Sequence, residues 1–181
     1  YASRATAGYA LAMGYCAYAR ASYAVGIQGD SRGEASVALG YGSDAVGKNS
    51  AALTPYSWAG GENSIAIGNG ADANAKNSMA LGNNTRVDGE GVTAMGHFNV
   101  ATYEGCSTGT SGTALVIGNG TASDNTSNAC RITFGGAVIG KAAYQSSGAD
   151  YAEYFEWEDG NPDNEDRIGY MVQLNGEKIE I

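Results

Sequence analysis

The acidic side chains between residues 150 and 166 are where this sequence could do chemistry. Asp150, Glu153, Glu156, Glu158, Asp159, Asp163, Glu165 and Asp166 fall in one run, with no base before Arg167. The first two are spaced Asp150-x-x-Glu153. Two carboxylates so close can share protons and take different roles. One whose pKa burial lifts toward neutrality can act as general base or acid beside a backbone carbonyl. Ser147-Gly148, just upstream, is a stretch that can distort toward an attack geometry. The same carboxylates also read as a solvated acidic turn. Tyr151, Tyr154, Phe155 and Trp157 read as a packing cluster in either case.

Other constellations carry less. Asp159-Gly-Asn161-Pro-Asp163-Asn-Glu165 places oxygen ligands at alternate positions, as calcium loops do. It lacks the glycine at position six and the glutamate at position twelve of an EF-hand, so an acidic turn is expected. Gly118-Asn-Gly120 is followed by no Gly-Lys-Ser/Thr and is no phosphate loop. His97 is the only histidine, which excludes a catalytic triad within one chain. Cys16, Cys106 and Cys130 are far apart and form no Cys-x-x-Cys, so they are read as free thiols of a chain folded in a reducing compartment. No metal and no cofactor is expected.

The composition limits the partners. The 181 residues carry a net charge of −9, against a basic surface for nucleic acid. No apolar run approaches a membrane span. The 28 glycines are about twice the usual share, without a Gly-X-Y period. Charged residues are only 16%, so a solvated disordered tail is excluded. The chain begins at Tyr1 and is read as a piece of a longer protein.

The elements that position the acidic segment follow from a repeat. Cut every 14 residues from Ser22, the chain gives six aligned blocks ending at Gly105. The third position is always alanine: Ala24, Ala38, Ala52, Ala66, Ala80 and Ala94. The fourth is apolar throughout: Val25, Leu39, Leu53, Ile67, Leu81 and Met95. The fifth is glycine except at Thr54, and Asn49, Asn63 and Asn77 end three blocks. Residues 8–21 are a looser copy, out of register by two. Apolar residues alternating around a constant alanine predict a strand. Glycine and asparagine supply turns at positive φ. Two short strands and two turns make one coil, and coils stacked about 4.8 Å apart satisfy one another's backbone. One strand face bears larger groups (Val37 and Leu39, Ile65 and Ile67, Met79 and Leu81), whereas the alanine face admits only a methyl and is available to pack against another chain. Pro55 and Trp58 predict a local bulge in the third block, and Tyr103 an end to the roll. Asp30, Asp44 and Asp72 share position nine, which reads as a turn.

Ser-x-Ala-φ-Gly at this period, where φ is any apolar residue, resembles the head repeat of trimeric autotransporter adhesins over residues 22–105. That resemblance implies an all-β fold: a left-handed parallel β-roll, or β-solenoid, assembled as a homotrimer. Ser146-Ser-Gly-Ala-Asp-Tyr-Ala-Glu-Tyr-Phe-Glu-Trp157 is the second signature, with Ile117-Gly-Asn-Gly upstream and Asp159-Gly-Asn-Pro-Asp-Asn-Glu-Asp-Arg-Ile-Gly-Tyr downstream. It closely resembles the intramolecular chaperone with self-cleavage of phage neck appendages and tail spikes, a glutamic-type peptidase family. The resemblance implies a cut before Asp150, at Ala149–Asp150, with Glu153 required.

Between these signatures, 114–121, 129–134 and 137–140 read as strands of a small β-module. The expected domains are 1–105, the β-roll; 106–148, a β-neck and connector; and 149–181, the start of the chaperone. The expected protein is a structural and adhesive segment of a homotrimeric phage or prophage tail fibre or appendage. It is carried on the virion or exposed at a cell surface, and folded in the bacterial cytoplasm. Its partners are two further copies, the rest of the fibre, and a host glycan or protein touched by Tyr41, Tyr56 and Trp58. Its chemistry is at most one autoproteolytic cut, with no turnover. One alternative is a bacterial trimeric surface adhesin. Another is a β-solenoid spike acting on host polysaccharide through carboxylates such as Asp30, Asp44 and Asp72.

Overall fold

A computed structural model describes residues 2–101, 112–142, 156–167 and 171–180. Every regular element among them is a β-strand. The chain divides into two units, Tyr1–Ala143 and Tyr144–Ile181.

The first unit is a β-solenoid of two facing sheets, one of seven strands and one of ten. Each coil gives one strand to each sheet and pairs in parallel with the coils before and after it. Val37–Leu39, Ala51–Ala52, Ile65–Ile67, Met79–Asn83 and Thr93–His97 stack in the larger sheet. Asp44–Ala45, Trp58–Ala59, Asp72–Ala73 and Arg86–Val87 stack in the smaller. The coil is two half-coils of seven residues, Ser36-x-Ala38-x-Gly40 answered by Ser43-x-Ala45-x-Gly47. Ser36 and Ser43 are buried and donate to the Gly33 and Gly40 carbonyls at 2.6 and 2.8 Å. These hydroxyls close the turns without calling on water.

The constant alanines point inward, which corrects the expectation that they face another chain. Ala38, Ala52, Ala66, Ala80 and Ala94 are fully buried against Ala45, Ala59, Ala73 and Val87 of the opposite sheet. Only methyl-sized groups fit between sheets this close. The larger apolar residues face outward on the ten-stranded sheet. Val37, Leu39, Ile65, Met79 and Leu81 are half-buried, and Ile67 and Met95 are 38% and 43% exposed.

Tight coil stacking explains the glycine at position twelve. A Cβ at Gly47 or Gly61 would sit 1.8 or 1.9 Å from a carbonyl oxygen of the next coil. At position five, Gly40, Gly68 and Gly82 have φ of 128°, 135° and 128°, which a side chain would oppose. Asn49, Asn63 and Asn77 have φ near 56° (56°, 55° and 56°) and pass a side-chain amide bond from coil to coil at 3.1 Å.

Three features differ from the sequence reading. Pro55 and Trp58 produce no bulge: Trp58 pairs in register with Asp44 and Asp72. The register offset lies between the first two blocks. Val25 pairs with Val37, so Gly26 rather than Ala24 stands opposite Ala38. The roll's sheet also continues past residue 101. Thr113–Asn119 adds in parallel to Thr93–His97, with Val116 beside Ala94, and Asn128–Thr133 and Val138–Gly140 follow antiparallel. Tyr103 lies outside the described residues. The smaller sheet ends differently. The buried Asn99 side chain accepts from the Arg86 amide at 2.7 Å and donates to the Arg86 carbonyl at 2.8 Å, standing in for the next strand.

In the second unit Glu156–Trp157 pairs in parallel with Lys178–Glu180, which pairs antiparallel with Gln173–Asn175 around a turn at Gly176.

Candidate functional site

Asp150, Glu153 and the Ala149–Asp150 bond lie outside the described residues. The acidic segment that follows them is described, and its centre is a base. Arg167 holds both oxygens of Asp159, at 3.0 and 2.7 Å, and reaches Glu165 at 3.1 Å through Nε. Its guanidinium lies 4.7 Å from the centroid of the Trp157 ring. The two parallel bonds suit the planar fork of arginine, and the ring face suits its charge. Asn161 completes the turn: its amide N–H donates to Asp159, and its side chain exchanges two bonds with the Glu165 backbone. Hydrogen bonding to Arg167 first, then to the Asn161 backbone, lowers the Asp159 pKa to about 2 and raises that of Arg167.

The resemblance to a calcium loop ends here, because Arg167 already occupies Asp159. Trp157, Glu158, Asp159, Arg167, Ile179 and Glu180 line a recess of about 380 Å³ beside this network. Hydrogen bonds, chiefly from Gln173, hold the Glu180 carboxyl below its ordinary range. Sequence reading missed Arg167 as a hub. The signal was present, since it is the first base after eight acids.

The carboxylates of the roll lie on strands, not in turns as position nine suggested. Asp30 and Asp44 are directly paired across neighbouring coils. Arg32 bridges them at 2.9 Å to each, and Arg20 adds a second bond to Asp30 at 2.9 Å. Asp72 stands two coils from Asp44, with Trp58 between them. Burial raises the pKa of Asp44 and Asp72, tempered by Arg32 for the first and by Asn74 and Arg86 for the second. Each has one buried oxygen, Oδ1, without a hydrogen-bond partner. A general acid must present its proton to substrate. These oxygens face into protein, and Arg32 ties up the Asp30–Asp44 pair, so the arrangement suits charge balance on a scaffold rather than hydrolysis. Tyr41 and Tyr56 are in turns, 58% and 59% exposed, with their rings edge to face at 5.7 Å. Trp58 is on a strand, its indole lying over Gly60, where a Cβ would come within 2.5 Å of Nε1. His97 bonds through Nδ1 to the Gly120 carbonyl.

Coils with an alanine interior and an outward apolar column define a β-roll of the adhesin-head kind. Residues 31–53, 55–71, 59–85 and 73–99 match the family model of the YadA head domain repeat. Residues 97–181 match a second family model, Peptidase_G2, the IMC autoproteolytic cleavage domain. Both resemblances read from the sequence are thus present in one chain, in the expected order. The second match begins on strand Thr93–His97 and takes in the three strands that extend the roll's sheet. Neither a curated protein nor a solved structure gives a significant match.

Proposed function

We propose that this chain is the shaft and assembly segment of a homotrimeric phage or prophage tail fibre that attaches a virion to a host surface. Residues 1–105 form the roll, 106–148 the neck, and 149–181 open a chaperone that aids trimerisation and then cuts itself off. The observation that carries the reading is the outward apolar column. It runs in register through Leu11, Val25, Val37, Ala51, Ile65, Met79 and Leu115, interrupted by Thr93, and alongside it through Met13, Ile27, Leu39, Ile67, Leu81, Met95 and Ile117. A regular stripe on one face asks for a regular partner, and two more copies about a threefold axis supply it. Head repeats of this kind imply the same assembly.

The cut adds water across Ala149–Asp150, leaving a carboxylate on Ala149 and an amine on Asp150. Ala149 carries no hydroxyl, so a chemistry that needs a hydroxyl nucleophile at that position would leave this bond uncut, and the reading takes water as the nucleophile. Glu153 serves as general base or acid, with Asp150 as its proton-sharing neighbour. The test is the denatured intact mass of the full chain beside Glu153→Ala. Two fragments meeting at Ala149–Asp150 from the natural chain, and one uncut chain from the variant, are expected. An uncut natural chain would sink the cleavage reading and leave a plain trimeric fibre. The head repeats equally favour a bacterial trimeric surface adhesin. Recovery of the natural chain from virions, rather than from an outer membrane, separates the two.

A further inference from the structure

The larger sheet of the roll outruns the smaller, ten strands against seven. Asn128–Thr133 and Val138–Gly140 lie past the point where Asn99 closes the seven-stranded sheet, so no strand of that sheet stands opposite them. Directly paired residues carry their side chains on one face. Val116 pairs with Arg131, and Arg131 with Ile139. These three therefore share the face that points into the roll, opposite the outward column of Leu115 and Ile117. Val116 is fully buried, but Ile139 is 43% exposed. Over the last two strands the inner face is open, and it bears a base.

Among the described residues every lysine and arginine is in an ion pair except Arg4, Arg131 and Lys141. Arg131 and Lys141 line one recess of about 430 Å³, with Val100, Ser127, Asn128 and Ile139 among others. No acidic side chain is among the described residues that line it. Lys141 donates to the Ser127 hydroxyl at 2.7 Å, which steadies the ammonium and leaves its other protons unpaired. Arg131 makes one long bond, from Nη1 to the Thr113 hydroxyl at 3.4 Å, and the rest of its fork is unused. The Asn128 Oδ1 accepts from the Val100 amide at 2.9 Å, which fixes that side chain with its own N–H donors unpaired. The recess thus holds aligned donors, two of them charged, beside the apolar Ile139 and Val100, the latter 47% exposed. Arg131 faces away from the outward column and stays open when further copies cover that column.

We propose that this recess binds an acidic saccharide, its acid group held by Arg131, Lys141 and the Asn128 amide and its C–H face laid on Ile139 and Val100. The planar fork of arginine matches two oxygens of a carboxylate or a phosphate, and lysine adds a point charge. A neutral sugar would leave both charges without a counter-charge. An inorganic anion would answer the charges but leave Ile139 and Val100 uncovered. A dense polyanion such as nucleic acid is opposed by the net charge of −9 on every chain. The proposal deepens the adhesive reading above and rests on it.

The test uses the full chain and saturation-transfer NMR with tetrasaccharides that carry a uronic acid, a phosphate or no charge. Transfer to at least one acidic sugar, and not to the neutral one, is expected, and the two acidic arms tell carboxylate from phosphate. Arg131→Gln combined with Lys141→Gln should weaken that binding at least about tenfold, since the charge-assisted bonds go while backbone pairing keeps the strands. The bound sugar should also slow alkylation of Cys130, which lines the recess, and leave that of Cys16 unchanged. Four results would each overturn the proposal: no acidic sugar bound, the neutral sugar bound as well as the acidic, inorganic phosphate bound as tightly as the phosphorylated sugar, or the double variant binding as the natural chain does. A double variant that falls from trimer to monomer would overturn it too, because the bases would then answer a carboxylate of a second copy. Sedimentation of the natural chain separates the two readings: a monomer defeats the fibre, whereas a trimer blind to acidic sugars defeats only the recess.

Discussion

Asp159 and the pair Asp44 and Asp72 respond to acid in opposite senses. Asp159 is depressed from 3.8 to about 2 by Arg167. Its contribution to the second unit is complete above the ordinary value and is lost as pH falls through 3.8 toward 2. Asp44 and Asp72 are raised, so their charged forms burden the roll at neutral pH. Protonation relieves that burden as pH falls through their raised values toward 3.8. The two tryptophans report separately, Trp58 from the roll and Trp157 from under Arg167. In a Trp58→Phe chain, Trp157 emission should change between pH 4 and 2, and Arg167→Met should move that change toward ordinary carboxylate pH. In the roll, Asp72→Asn should raise the denaturation midpoint at pH 7, because the lost charge was the disfavoured form. A fall in that midpoint would mean that Arg86 outweighs burial.

At the scale of strands and turns, small groups set the architecture. Ala66 fills the space between sheets, so Ala66→Leu should destabilise the roll by about 1–3 kcal/mol through overpacking. Asn99 closes the seven-stranded sheet with two bonds to Arg86. Asn99→Leu leaves that buried amide and carbonyl unmet and should cost about 1–3 kcal/mol in chemical denaturation. The column at position thirteen reads Glu34, Lys48, Glu62, Lys76, Glu90. Lys48–Glu34 and Lys76–Glu62 pair at 3.1 and 3.5 Å. Exposed pairs like these add little stability. Their alternation instead disfavours a slip by one coil, which would set like charges together.

For the whole molecule, the proposed trimer rests on the outward apolar column. Burying a large aliphatic side chain fully is worth about 1.5–3 kcal/mol, and here many are only half-covered. Leu81→Asp, near the middle of the column, should leave the coil's interior intact and shift sedimentation from trimer to monomer. A trimer that survives would place the contact elsewhere.

The fourteen-residue period and the positive-φ turns at Asn49, Asn63 and Asn77 were legible in the sequence, because each is a local requirement repeated along the chain. Which face turns inward was not. Alternation gives two faces, and only the pairing of two sheets shows that the methyl face is the interior and the bulky face the exterior. The register offset between the first two blocks was hidden for a similar reason. Aligning by alanine placed Ala24 with Ala38, whereas backbone pairing aligned Gly26 with Ala38. The Arg167 hub depended on a turn that brings residues eight apart into contact. Sequence by itself determined the period, the turn chemistry and the charge distribution. Tertiary structure alone decided inside from outside, since that depends on which surfaces meet.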